Sequence, residues 1–135
     1  MLGTADIVAF VPTRNPQRAR EFFEQTLGLA FVSADPFAIV FDANGVTLRV
    51  ADVSTVPDYK PAPFTILGWH VPNAEDAAHA LAAKGVTFER IQGMEQSPSG
   101  VWTSPSGAKV AWFKDPDGNI LSITEFAAAS APGPR

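Results

Sequence analysis

The sequence contains no cysteine. This excludes disulfides, iron–sulfur clusters and zinc sites built on thiolates, and it fits the cytoplasmic location expected for the chain. There is no cluster of Lys and Arg. With a formal net charge of -4 and a pI near 5.0, the chain is not expected to bind nucleic acid. No apolar run approaches the ~20 residues that span a bilayer, so no membrane partner is expected. The first residues lack a basic segment followed by a long apolar run, and no signal peptide is expected. No Ser-His-Asp arrangement is legible, which leaves nucleophilic catalysis without support. What is present is 135 residues, the length of one ordinary domain. Such a chain buries roughly two-thirds of the surface it exposes when unfolded, so it can fold without a structural metal.

Alternation, helical spacing and Gly/Pro/Asn punctuation divide the chain. Strands are expected at 6–11, 30–33, 37–42 and 46–53, with a break at 12–15. Asn15 reads as an N-cap with Pro16 at the first helical position, where its missing N–H costs nothing. Ala19, Phe22, Phe23, Thr26 and Leu27 share one face of that helix, and Gly28 stops it. Asn44-Gly45 is a two-residue hairpin signal. Residues 54–63 hold three prolines and read as a linker. A strand at 65–71 follows, then a helix capped by Asn73 and running to Lys84, with Ala77, Ala78, Leu81 and Ala82 buried. Strands are then expected at 86–90, 101–103, 109–114 and 119–126. The stretch 92–100, with Gly93, Pro98 and Gly100, is expected to be flexible and able to close over a site. The tail 127–135 is small-residue and proline-rich and is expected to be flexible. The element order β-α-β-β-β thus occurs twice, in one domain spanning 1–126 with a first module at 5–53, a linker at 54–63 and a second module at 64–126.

Side chains alternate across a strand. Ile7, Ala9 and Val11 oppose Asp6, Val8 and Phe10. Leu48 and Val50 oppose Thr47, Arg49 and Ala51. Leu67, Trp69 and Val71 oppose Ile66, Gly68 and His70, and Leu121 and Ile123 oppose Ile120, Ser122 and Thr124. One set is apolar and is expected to pack on the helices. The other mixes Arg49, His70, Thr47, Ser122 and Thr124 with apolar neighbours such as Phe10, as a concave ligand site does. Arg49 either pairs with a carboxylate such as Asp6 or binds an anionic group through its planar fork. His70 is either bonded to a neighbouring polar group or serves in acid–base chemistry, for which its unperturbed pKa of ~6.5 suits it. Trp102 and Trp112 either belong to the core or stack on a flat ligand.

The paired element order, the helix "PQRAREFFEQTLGL" and the hairpin "WFKDPDGNILSI" together resemble the vicinal oxygen chelate superfamily, the group of glyoxalase I, bleomycin-resistance proteins, fosfomycin-resistance enzymes and extradiol dioxygenases. The resemblance implies an α+β fold in which paired βαβββ modules form a curled mixed sheet, or cup, often completed by homodimerisation. It also implies four places from which metal-using members draw their ligands. These fall at Val8, Arg49, Ile66 and Ser122, and none is His, Glu, Asp or Cys. Divalent metals in such sites need imidazole or carboxylate donors. No metal or other cofactor is therefore expected, the one alternative being a weak two-ligand site from Asp6 and His70.

These readings point to a homodimeric, small-molecule-binding protein with a metal-free cup for an anionic or aromatic compound. If it catalyses, His70 is the candidate acid–base group. Two other readings stay open. One is a metal-dependent enzyme of the glyoxalase or dioxygenase kind, and the other is an interaction module with no ligand.

Overall fold

The computed structural model describes residues 1–128, so the expected flexible tail lies, from residue 129 on, outside the described residues. Two four-stranded mixed sheets of the same strand order make up the fold. In the first, β1 (Val8–Thr13), β2 (Ala30–Ala34), β3 (Ala38–Ala43) and β4 (Val46–Asp52) are ordered β1-β4-β3-β2, with β1 parallel to β4. In the second, β5 (Thr65–His70), β6 (Trp102–Thr103), β7 (Lys109–Lys114) and β8 (Ile120–Glu125) are ordered β5-β8-β7-β6, with β5 parallel to β8. Each sheet has one helix inserted after its first strand: α1 (Pro16–Glu21) and α2 (Ala74–Ala83). The paired βαβββ order is therefore real. Among the described residues, no helix is long and apolar enough to cross a membrane.

The chain divides into two compact units: Met1–Pro61 together with Asp115–Asn119, and Ala62–Lys114 together with the chain from Ile120 onward. The core of the first unit holds Val11, Ala19, Phe23, Phe41, Leu48 and Val50, all buried. Phe23 and Phe41 meet at 5.9 Å between ring centres. The core of the second unit holds Ala74, Ala78, Ala111, Phe113, Leu121 and Ile123. There Phe113 takes the Phe88 ring edge-on at 5.6 Å and stacks with Trp69 at 6.5 Å.

Several elements depart from expectation, each for a physical reason. β1 begins and ends two residues later than expected, and Pro12 lies inside it. The strand is at the sheet edge, where a missing N–H costs no ladder bond. The first helix changes after Glu21 into a π-helical turn, Phe22–Thr26, closed by Leu27 N–H to Phe22 C=O at 3.0 Å. In α2 the buried positions are Ala74 and Ala78, and Ala82 is exposed. Six of its ten residues are alanine, which blurs the period there. No strand forms at 86–90. Phe88 makes a single bridge to Phe113, and Glu89 N–H reaches Trp112 C=O at 2.7 Å. The hairpin at Asn44-Gly45 is as expected, with both residues at positive φ (51° and 91°).

The stretch 92–100 is tied down rather than loose. The Gln96 side chain accepts from Ile91 N–H at 2.7 Å and donates to Glu89 C=O at 2.9 Å and Gly100 C=O at 2.8 Å. The Arg90 guanidinium donates to the carbonyls of Ser97 and Pro98, and Ser99 donates to the Glu75 carboxylate. The Glu75 carboxyl is held below its usual range by that bond first, then by Ser97. The tetrapeptide Ser-Pro-Ser-Gly occurs here twice, at 97–100 and 104–107, and makes the same turn each time. In both, the first serine Oγ meets the second (3.0 and 2.9 Å) and accepts the N–H of the residue after the glycine at 3.1 Å.

Residues 115–119 close the end of the first unit. Asp115 Oδ1 accepts the N–H groups of Asp117 (3.0 Å) and Asn119 (2.9 Å), and its Oδ2 accepts from Asn119 Nδ2 at 2.8 Å. The same Nδ2 donates to Pro12 C=O at 2.9 Å, and Tyr59 Oη donates to Asn119 Oδ1 at 3.0 Å. Asp117 accepts from Thr13 Oγ1 at 2.6 Å and Arg14 N–H at 2.8 Å. Burial pushes the Asp115 carboxyl above the usual aspartate range, against the bonds from Asn119 that pull it down.

Asn119→Ala leaves Pro12 C=O and Tyr59 Oη, both partly buried, and one buried Asp115 oxygen without their partner. It is expected to cost about 2–4 kcal/mol in urea unfolding at neutral pH. A raised folded-state pKa means that the group favours folding below its unfolded value (~3.9) and loses that contribution as pH rises through the folded value. Removing the Asn119 donor raises the Asp115 pKa further, so the deficit of the variant should shrink as pH falls through the raised folded-state values, which lie above ~3.9. A deficit constant from pH 3 to 7 would show that Asp115 does not sense Asn119.

Candidate ligand-binding surfaces

The sheet face opposite the buried core of the first unit carries Val8 and Phe10 on β1, Thr47 and Arg49 on β4, and Val40 and Asp42 on β3. Register sets Phe10 beside Arg49 and Arg49 beside Val40, with Val8, Thr47 and Asp42 in the next row. Phe10 is 60% exposed and Val8 46%, large values for apolar residues in a sheet. Arg49 is half-buried between Phe10 and Val40, and among the described residues it makes no ion pair and no side-chain hydrogen bond. Asp6, the partner considered from sequence, is exposed and does not bond to it. The Asp35 carboxyl is held below the usual range chiefly by Phe37 N–H, then by Ala38 N–H, with a smaller pull from Arg49.

On the second unit the corresponding face has three rows. Trp112, Ser122 and Gly68 run across β7, β8 and β5. On one side of them lie Lys114, Ile120 and Thr65. On the other lie Trp102, Val110, Thr124 and His70. The expected alternation of β5 fails at one residue. A bulge between Thr65 and Leu67 leaves Ile66 with no partner on β8 and places Thr65 opposite Ile120. Trp102 and Trp112 are half-buried, with ring centres 6.0 Å apart and planes at 36°. His70 is exposed, with its ring set edge-on against Phe126 at 5.1 Å. Among the described residues no group bonds to its imidazole. An open groove of ≈ 410 Å³ is lined by Phe64, Thr65, Trp112, Lys114 and Ile120, with Glu89 and Arg90 at its rim.

Structure thus brings Phe10, Thr47 and Arg49 to one face of the first unit, and His70, Ser122, Thr124, Trp102 and Trp112 to one face of the second. Among the described residues, no three of His, Cys, Asp and Glu come together as metal ligands do. Asp6 and His70 fall in different units. The carboxylates of the Asp-Pro-Asp-Gly turn are occupied by the bonds that close the first unit. Gly68 has no room for a side chain, since a Cβ built on it would stand 2.6 Å from Ser122 Oγ. The residues present do not fit a divalent metal: valine and isoleucine offer no donor, arginine adds a positive charge, and the serine donor is a neutral hydroxyl. Sequence reasoning passed over Gly68, although a glycine inside a strand marks a close approach.

The sequence profile described as the Glyoxalase/Bleomycin resistance protein/Dioxygenase superfamily matches residues 5–123. No curated protein matches the chain. Solved structures with the same fold include a glyoxalase/bleomycin resistance protein/dioxygenase from Nocardioides (20% identity, TM-score 0.69, covering 95% of this chain and 87% of that one). An antibiotic-binding protein from Streptomyces is similar at 20% identity and TM-score 0.68, over 94% of this chain and 99% of that one. A lactoylglutathione lyase from Agrobacterium tumefaciens is similar at 16% identity and TM-score 0.66, over 90% and 93%. At these identities the likeness is one of fold.

An arginine held in place for stability and one left unpaired predict different outcomes on substitution. Arg49→Met keeps the aliphatic stem and removes the charge. It is expected to leave thermal unfolding within about 0.5 kcal/mol of the parent or to raise it, because no partner is stranded. A loss of 2 kcal/mol or more would show that Arg49 is part of a structural ion pair.

Proposed function

Because the chain belongs to the Glyoxalase/Bleomycin resistance protein/Dioxygenase superfamily, we propose that it binds a small organic molecule, anionic or aromatic, without a metal ion. The observation that carries this reading is Arg49. It is a permanently charged guanidinium, half-buried on an apolar sheet face beside Phe10 and Val40, with no described partner. A cation so placed is partly desolvated, and a ligand carboxylate or phenolate supplies what the fold does not. The apolar neighbours offer contact area for a ring. The antibiotic-binding neighbour supports a binding role, and the lyase supports processing. The donor set favours binding. None of the four places implied by the superfamily holds a metal-binding side chain, and His70 has no described neighbour to orient it for proton transfer. A cytoplasmic homodimer is part of the same proposal.

Binding is tested with 2-naphthoate and its neutral amide. Arg49→Ala is expected to weaken the carboxylate by about 10–100-fold and the amide by less than threefold, read by calorimetry. Equal losses would remove Arg49 as an anion contact. Elemental analysis of protein purified without chelators or a metal-affinity tag checks the metal. Near-stoichiometric zinc, nickel, iron or manganese would overturn the metal-free reading.

A further inference from the structure

Four asparagines occur in the chain, and three of them are closed to reaction with their own backbone. An asparagine loses its amide when the backbone nitrogen of the next residue attacks the side-chain carbon Cγ. The identity of that next residue and the freedom of both groups decide where this happens. Asn15 precedes Pro16, whose nitrogen carries no hydrogen. Asn73 caps α2 by accepting Asp76 N–H at 2.9 Å, and the next nitrogen, that of Ala74, is held by Glu125 at 2.9 Å. Asn119 is buried, with its carboxamide bonded to Asp115, Pro12 and Tyr59. Asp117-Gly118, a pair open in principle to the same ring closure, is tied as well. Asp117 accepts from Thr13 and Arg14, and Gly118 N–H donates to Asp115 C=O at 3.0 Å.

Asn44 differs on each count. It is exposed, and its side chain has no hydrogen-bond partner among the described residues. It precedes Gly45, which has no side chain to shield its nitrogen, and nothing lies within 4 Å of where a Cβ would stand. One restraint remains: Gly45 N–H donates to Asp42 Oδ1 at 2.9 Å. The ladder pairs Asp42–Thr47 and Ala43–Val46 flank the turn and keep the two groups together. Ring closure requires the Gly45 nitrogen to give up this proton and to build negative charge as it attacks. A carboxylate acceptor beside it opposes that step twice, because the hydrogen bond is lost and like charges are brought together.

We propose that Asn44 is a site of spontaneous deamidation, restrained in the folded chain by the Asp42 carboxylate through its bond to Gly45 N–H. In the first step the Gly45 nitrogen gives its proton to solvent, and its electron pair forms a bond to Asn44 Cγ. The Cγ–Nδ2 bond breaks, and the amide nitrogen takes a proton from water and leaves as ammonia. Water then opens the resulting five-membered imide at either carbonyl, giving aspartate or isoaspartate at position 44. No oxidant, metal or second protein takes part. Isoaspartate routes the main chain through the side-chain carbon and so adds a methylene to a two-residue turn. A turn that short sets the register of β3 on β4, so this product loosens the hairpin. Either product places a second carboxylate in the turn that Asp42 closes. The inference is independent of what the chain binds.

The folded protein is incubated in neutral buffer, digested at intervals and followed by mass spectrometry with electron-transfer fragmentation, which separates aspartate from isoaspartate. Asn44 is expected to be the first asparagine to gain the mass of an acid, with both products present. Asp42→Ala, in a protein whose circular dichroism matches the parent, should deamidate about 3–10-fold faster. Once unfolded in guanidinium chloride, where the bond from Gly45 to Asp42 no longer exists, the two chains should react at equal rates. Asn44→Gly keeps a residue suited to positive φ and should remove the early product. Earlier conversion at Asn73, Asn119 or Asp117 would overturn Asn44 as the site. A rate in folded Asp42→Ala equal to or below that of the parent, or an acceleration that persists in the unfolded chain, would overturn the restraint.

Discussion

Asn119 has no free polar atom. Its carbonyl accepts from Asp115, its N–H and Nδ2 donate to the Asp115 carboxylate, Nδ2 also holds Pro12, and Oδ1 takes the Tyr59 hydroxyl. One carboxamide thereby joins the end of β1, the segment before residue 62 and the turn at 115–119. Asp117 adds a second anchor through Thr13 and Arg14. Because burial raises the pKa of Asp115, the turn holds a carboxylate at some cost, which the bonds from Asn119 offset only in part. This arrangement explains the Asp-Pro-Asp-Gly-Asn sequence without reference to chemistry on a ligand. Its acids are structural acceptors and are not available elsewhere.

Much of the fold was legible because its signals are local. Asn15 and Asn73 cap the helices through Arg18 and Asp76 N–H, as their positions before the apolar periods imply. Alternation correctly sorted Val11, Leu48, Val50, Leu121 and Ile123 to the buried faces. What failed depended on long-range context. Pro12 breaks a central strand but not an edge strand, and sequence does not say which strand is the edge. The apolar pattern at 86–90 is real, yet only one bridge reaches β7. The 92–100 stretch has the composition of a mobile loop. Its bonds come from Gln96, Arg90 and Glu75, and they span 7, 8 and 24 residues of chain.

Less of the candidate site could be read. Which side chains share a face followed from alternation, and the faces carrying Arg49 and Ser122 are as read. Three features could not be read: the isolation of Arg49, the bulge at Ile66 and the overlap of Ser122 with the space above Gly68. Each depends on what is missing nearby, and sequence patterns report presence better than absence.

The duplicated Ser-Pro-Ser-Gly turn bears on how the second sheet is assembled. β6 is only two residues long and sits at the sheet edge between the two turns. A ladder that short contributes little to its own placement. Each turn closes over four residues with its own serine and glycine. The second turn sets β6 against β7, and the first sets Gln96 against Trp102 on its other side. The two turns are chemically alike, and the bonds from Arg90, Gln96 and Glu75 distinguish the first from the second. These bonds tie the first turn, and not the second, to Glu89 and to α2.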